Sequence, residues 1–67
     1  MAYEGTQREM MRDLFTRFRG DREEVIAAYA TAERRGEIHR HSNVRQMSAE
    51  VYAQRLFEDG MKKGWLE

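Results

Sequence analysis

Apolar residues recur at helical spacing in three blocks of this chain, and each block is bracketed by residues that start or stop a helix. The middle block, Asp21 to Gly36, reads DREEVIAAYATAERRG. Asp21 suits the N-cap because its carboxylate accepts from the free amides of the first turn, and Glu24 stands three residues on to close a capping box. Gly36 supplies the left-handed residue that ends the helix. Val25, Ala28, Tyr29 and Ala32 share one face, and Ile26 and Ala30 widen it to an apolar arc of roughly 200°. A helix with one neighbour needs only about 100° of apolar stripe. The arc therefore predicts a helix lying between two others, with apolar surface to spare.

In the first block Thr6 and Glu9 have the spacing of a capping box, and Met10, Met11, Leu14, Phe15 and Phe18 fall within about 140° of one another. Gly20 stops this helix immediately before Asp21 starts the next. The third block opens on Ser48 as N-cap and places Tyr52, Ala53, Leu56, Phe57 and Gly60 on one face, with Met61 at its edge. Gly64 is the expected terminator, with Trp65 folding back over the bare Cα of Gly60; an ending at Gly60 itself is the rival. Ala28 and Ala32 on one helix, facing Ala49, Ala53 and Gly60 on the other, predict a close approach. The hydroxyls of Tyr3, Tyr29 and Tyr52 are expected at the rim of a half-buried ring. The fold class that follows is all-α: one compact three-helix domain over residues 1–67. Its helices run over about 6–19, 21–35 and 48–63, and an ordered loop at 36–47 is tied down by Ile38, Val44 and Met47.

Composition narrows the functional classes. A 67-residue chain holds one small core. It has no cysteine for disulfides or thiolate metal sites, and no apolar run long enough for a membrane span. Charged residues are 36% of the chain and sum to zero, so no overall field draws it to nucleic acid or anionic lipid. Most charges follow the helix dipole, acids first and bases last, and Asp13–Arg17, Glu58–Lys62 and Asp59–Lys63 are spaced as i,i+4 pairs. Ten of the twelve basic residues are arginine, which suits phosphate recognition but equally follows from a GC-rich genome. Leu66-Glu67 can be read either as native or as a cloning remnant, so no expectation rests on Glu67.

Three sets of residues are candidates for chemistry. Were residues 37–43 extended, Glu37, His39 and His41 would share an edge with the donor types of a divalent-metal site. Four nearby arginines would repel the ion, so two solvated loop histidines, with no metal and no cofactor, is the simpler account. Arg34, Arg35, Arg40 and Arg45 form a basic cluster suited to phosphate contacts. The zero net charge and the absence of an interleaved aromatic leave nucleic acid as the alternative and not the favoured partner. Val51, beside Arg55 and off the main apolar face of the third helix, is a candidate partner contact. No nucleophile–base pair, phosphate loop or carboxylate dyad is present in the pattern, so an enzyme is not expected.

The stretches AYATAERRGEIHRHSN and SAEVYAQRLFEDGMKKGWL, together spanning roughly Glu24 to Leu66, resemble small uncharacterised bacterial helical proteins. The resemblance implies a bacterial, cytoplasmic, non-enzymatic protein and brings no functional residue with it. Together these features lead us to expect a protein-interaction or regulatory module. Its protein partner, a second copy of the chain being one option, would sit on the surplus apolar surface of the middle helix, with no membrane involved.

Overall fold

A computed structural model describes residues 3–38 and 46–66. The protein is an all-α, three-helix domain: α1 spans Tyr3–Arg17, α2 Arg22–Arg34 and α3 Ala49–Lys63. There is no strand among the described residues. As the width of its apolar arc requires, α2 packs on both neighbours, more extensively on α3. Its Val25, Ile26, Tyr29, Ala30 and Ala32 are buried. With them in the core lie Met11 and Leu14 of α1 and Tyr52, Ala53 and Phe57 of α3. The Phe15 and Phe57 rings meet at 5.8 Å between centroids, so α1 and α3 also touch.

The caps of α2 and α3 follow the sequence closely. Asp21 Oδ1 accepts from the Glu24 amide at 3.3 Å, and Ser48 Oγ from the Val51 amide at 3.2 Å. Gly36 is left-handed at φ 78°, and the Gly36 and Glu37 amides bond back to the Glu33 and Ala32 carbonyls at 3.0 Å each. That reversal delivers Ile38 into the core, where it is 3% exposed, and Met47 is half-buried at the other side of the connection. Val44 and the rest of the loop at 39–45 lie outside the described residues.

Helix α1 differs at both ends. It begins at Tyr3, so the Thr6–Glu9 capping box is not its start. A cap offers only about 1 kcal/mol, which does not prevent helical residues ahead of it from extending the helix. At the other end α1 stops at Arg17, two residues earlier than expected, in a reversal where the left-handed position falls to Arg19, φ 57°, followed by Gly20, φ 77°. The Gly20 amide bonds to the Phe15 carbonyl at 2.8 Å and the Arg19 amide to the Thr16 carbonyl at 3.2 Å. A Cβ on Gly20 would stand 3.3 Å from the Phe15 ring, so both backbone and space select glycine there.

Helix α3 ends at Lys63 with Gly64 left-handed at φ 85°, and not at Gly60. The residue over Gly60 is Leu66, not Trp65. The Leu66 amide donates to the Gly60 carbonyl at 3.2 Å, which draws the chain back across the last turn and buries Leu66 to 7% exposure. Leu66 is thus a core residue. Trp65 is turned aside, donating from Nε1 to Asp59 at 3.4 Å beneath the Arg8 guanidinium, 5.0 Å from its ring. The glycine's open face therefore admits the segment that follows α3, and the expected close approach of small residues from α2 is not how that space is used.

Two tyrosines are also more deeply placed than expected. Tyr29 is fully buried and Tyr52 is 9% exposed, their rings 6.2 Å apart. The Tyr52 hydroxyl donates to Oε1 of Gln7 at 2.6 Å, and Gln7 itself is 2% exposed. A polar residue on α1 is thereby admitted to the core because it completes a hydrogen bond there.

Candidate interaction surface

The charged residues divide into those that fasten helices together and those that border open surface. Arg22 pairs with Glu58 at 2.7 Å, and Arg34 pairs with Glu50. The start of α2 is tied to the end of α3 and the end of α2 to the start of α3, as antiparallel neighbours require. Glu58 was expected to pair with Lys62 along its own helix; Arg22 takes it instead, its guanidinium 5.9 Å from the Phe57 ring centre. The i,i+4 pairs Asp13–Arg17 and Asp59–Lys63 form as expected, at 2.9 and 3.3 Å.

This arrangement separates Arg34 from Arg35. Arg34 reaches toward α3, and its hydrogen bond holds the Glu50 carboxyl below the ordinary glutamate value of 4.5, with backbone hydrogen bonding and charge attraction adding to the shift. Arg35, about 100° around the helix, is exposed and caps the end of α2 with its amide on the Thr31 carbonyl at 3.0 Å. Arg40, Arg45, His39 and His41 lie outside the described residues. Glu37, offered as a metal ligand with them, is exposed beside Arg35 and Arg17. Among the described residues no three histidine, aspartate or glutamate side chains come together to hold a metal ion. On α3, Val51 is 37% exposed, Arg55 is exposed and Met61 is 51% exposed. No described helix is long and apolar enough to cross a membrane.

A groove of about 420 Å³ opens between α1 and α2. Leu14 of α1 and Phe18, just past its end, form one side, and Ala27, Ala28, Thr31 and Ala32 of α2 the other. Arg17, Glu24, Arg35 and Glu37 complete the border. Ala32 and Leu14 are buried, Ala28, Thr31 and Phe18 half-buried, and Ala27 exposed. The apolar arc of α2 is thus wider than α1 and α3 cover, and the excess opens as a shallow trough of small side chains between charged ends. The sequence signalled this surplus through the arc width; it did not signal that Arg17 and Glu37 from neighbouring segments would reach the same border. No protein-family model, curated protein or solved structure matches the chain.

Proposed function

We propose that this chain is a small, non-enzymatic bacterial protein that works in the cytoplasm as an interaction or regulatory module, taking a protein partner in the groove along α2. The observation that supports this reading is the trough of Ala27, Ala28, Thr31 and Ala32 left open beside Leu14 and Phe18. Small side chains let a partner backbone come close, and the apolar wall supplies burial on contact. Nucleic-acid binding through Arg34, Arg35, Arg40 and Arg45 ranks second, because Arg34 is engaged by Glu50.

The test compares proteins retained from a bacterial lysate by the immobilised wild-type chain and by an Ala27→Arg/Thr31→Arg variant. Arginine is a good helix former, so the variant fills the trough without opposing α2. Proteins held by the wild type and lost from the folded variant are the expected result. Identical retention by both removes the groove from the function. Binding of a labelled oligonucleotide that weakens steeply with salt would favour the second reading.

A further inference from the structure

The groove face of α2 has an internal symmetry that identifies its partner more closely. At about 100° per residue Glu24, Ala28, Thr31 and Arg35 form one stripe, within about 60° of one another, flanked by Ala27 and Ala32. Their spacing of four, three and four residues is that of a helix–helix seam. Reversed end for end about a point between Tyr29 and Ala30, the pattern maps onto itself. Glu24 falls on Arg35, Ala27 on Ala32, and Ala28 on Thr31. Opposite charges meet at both ends, and only small side chains meet between them.

We propose that the partner is a second copy of this chain, docked with its α2 antiparallel across the groove about a two-fold axis. Such an interface is isologous: each copy supplies the same patch, so every contact occurs twice. In it Glu24 of each copy faces Arg35 of the other and Ala28 faces Thr31, with the small Ala27 and Ala32 lining the two edges of the seam. A parallel arrangement would set Glu24 against Glu24 and Arg35 against Arg35, so the end charges select the antiparallel one. Leu14 and Phe18 form the apolar wall against which the incoming helix lies. The contact is short, since α2 has 13 residues and is about 20 Å long. A contact that short falls below a standard stable interface, and the dimer is accordingly weak and forms only in concentrated solution. This inference rests on the proposal that the groove takes a protein partner.

Sedimentation equilibrium of the full chain up to about 1 mM tests it with two charge reversals. Glu24→Arg leaves two cations at the stripe's ends, and Arg35→Glu leaves two anions. Each alone is expected to weaken self-association about tenfold or more, because two attractive pairs become repulsive. An equimolar mixture of the two variants restores both pairings and is expected to form the heterodimer, and the doubly reversed chain recovers its homodimer. Rescue on mixing also shows that the single variants are folded. A wild type that stays monomeric throughout the range, or single reversals that associate as well as the wild type, would overturn the self-pairing. Lysate proteins that bind the monomer and are lost from the Ala27→Arg/Thr31→Arg variant would then keep the groove as a site for a different protein. Loss of both results ends both proposals.

Discussion

Replacing Gly60 with alanine should destabilise this protein although alanine is the better helix former. In an open helix interior the change would stabilise by about 1 kcal/mol. Here an added Cβ would stand 2.6 Å from Leu66 Cγ, 2.9 Å from Cδ1 and 3.2 Å from Cβ, the first two far inside ordinary contact. Relief requires moving Leu66, which is buried and tied to the Gly60 carbonyl through its own amide. Expelling a buried leucine forfeits about 1.5–3 kcal/mol, so the net change is a loss of about 0.5–2 kcal/mol. For a domain of this size each kcal/mol shifts the melting temperature by about 4–8 °C. Thermal unfolding followed by far-ultraviolet circular dichroism resolves such a shift. Leu66→Ala destabilises on its own and removes the two atoms nearest the added Cβ, leaving only its own Cβ at 3.2 Å, so Gly60→Ala introduced into that background should raise the melting temperature. A reversal of sign between the two backgrounds is the signature of direct contact. If Gly60→Ala stabilises the otherwise wild-type chain, Leu66 does not occupy the glycine's open face and the account of this helix ending is wrong.

Tyr52→Phe deletes the hydrogen bond to the buried Gln7 and should lower stability by about 1 kcal/mol in urea unfolding, with the slope unchanged. Asp21→Ala and Ser48→Ala each remove a cap and should cost about 1 kcal/mol, additively because the two caps serve different helices. The Glu50 carboxyl is held below its ordinary value chiefly by the Arg34 hydrogen bond, so its contribution to stability is present above the unfolded value and is lost as pH falls through the lowered one. Carboxyl resonances titrated by NMR should place Glu50 lower in the wild type than in Arg34→Gln; equal midpoints would show that the pair does not persist in solution.

The helices were legible because their signals are local. A cap needs one side chain and the amides three residues on, and Asp21, Ser48, Gly36 and Gly64 each perform as the sequence indicates. What was not legible depends on where distant segments meet. Gln7 looks like a solvent-facing residue until the Tyr52 hydroxyl reaches it from 45 positions away. Glu58 has a suitable lysine one turn along, and only the packing of α2 on α3 brings Arg22 closer. Gly60 signalled a close approach correctly, but a bare Cα does not say what approaches, and Leu66 rather than Trp65 or α2 does so. The groove lies between these cases. The arc width on α2 announced surplus apolar surface, and the end-for-end symmetry of Glu24 to Arg35 is written in the sequence. That this stripe stays uncovered depends on where α1 and α3 sit, which periodicity does not give.

The outer face of α2 as a docking surface is tested most directly by recording amide NMR spectra of the uniformly labelled chain across a dilution series. Resonances of Glu24, Ala27, Ala28, Thr31 and Arg35 should shift together with concentration, and those of Val51, Arg55 and Met61 on α3 should stay fixed. Concentration-dependent shifts confined to the α3 residues, or spectra that do not change from dilute to concentrated solution, would contradict the assignment of self-association to this groove.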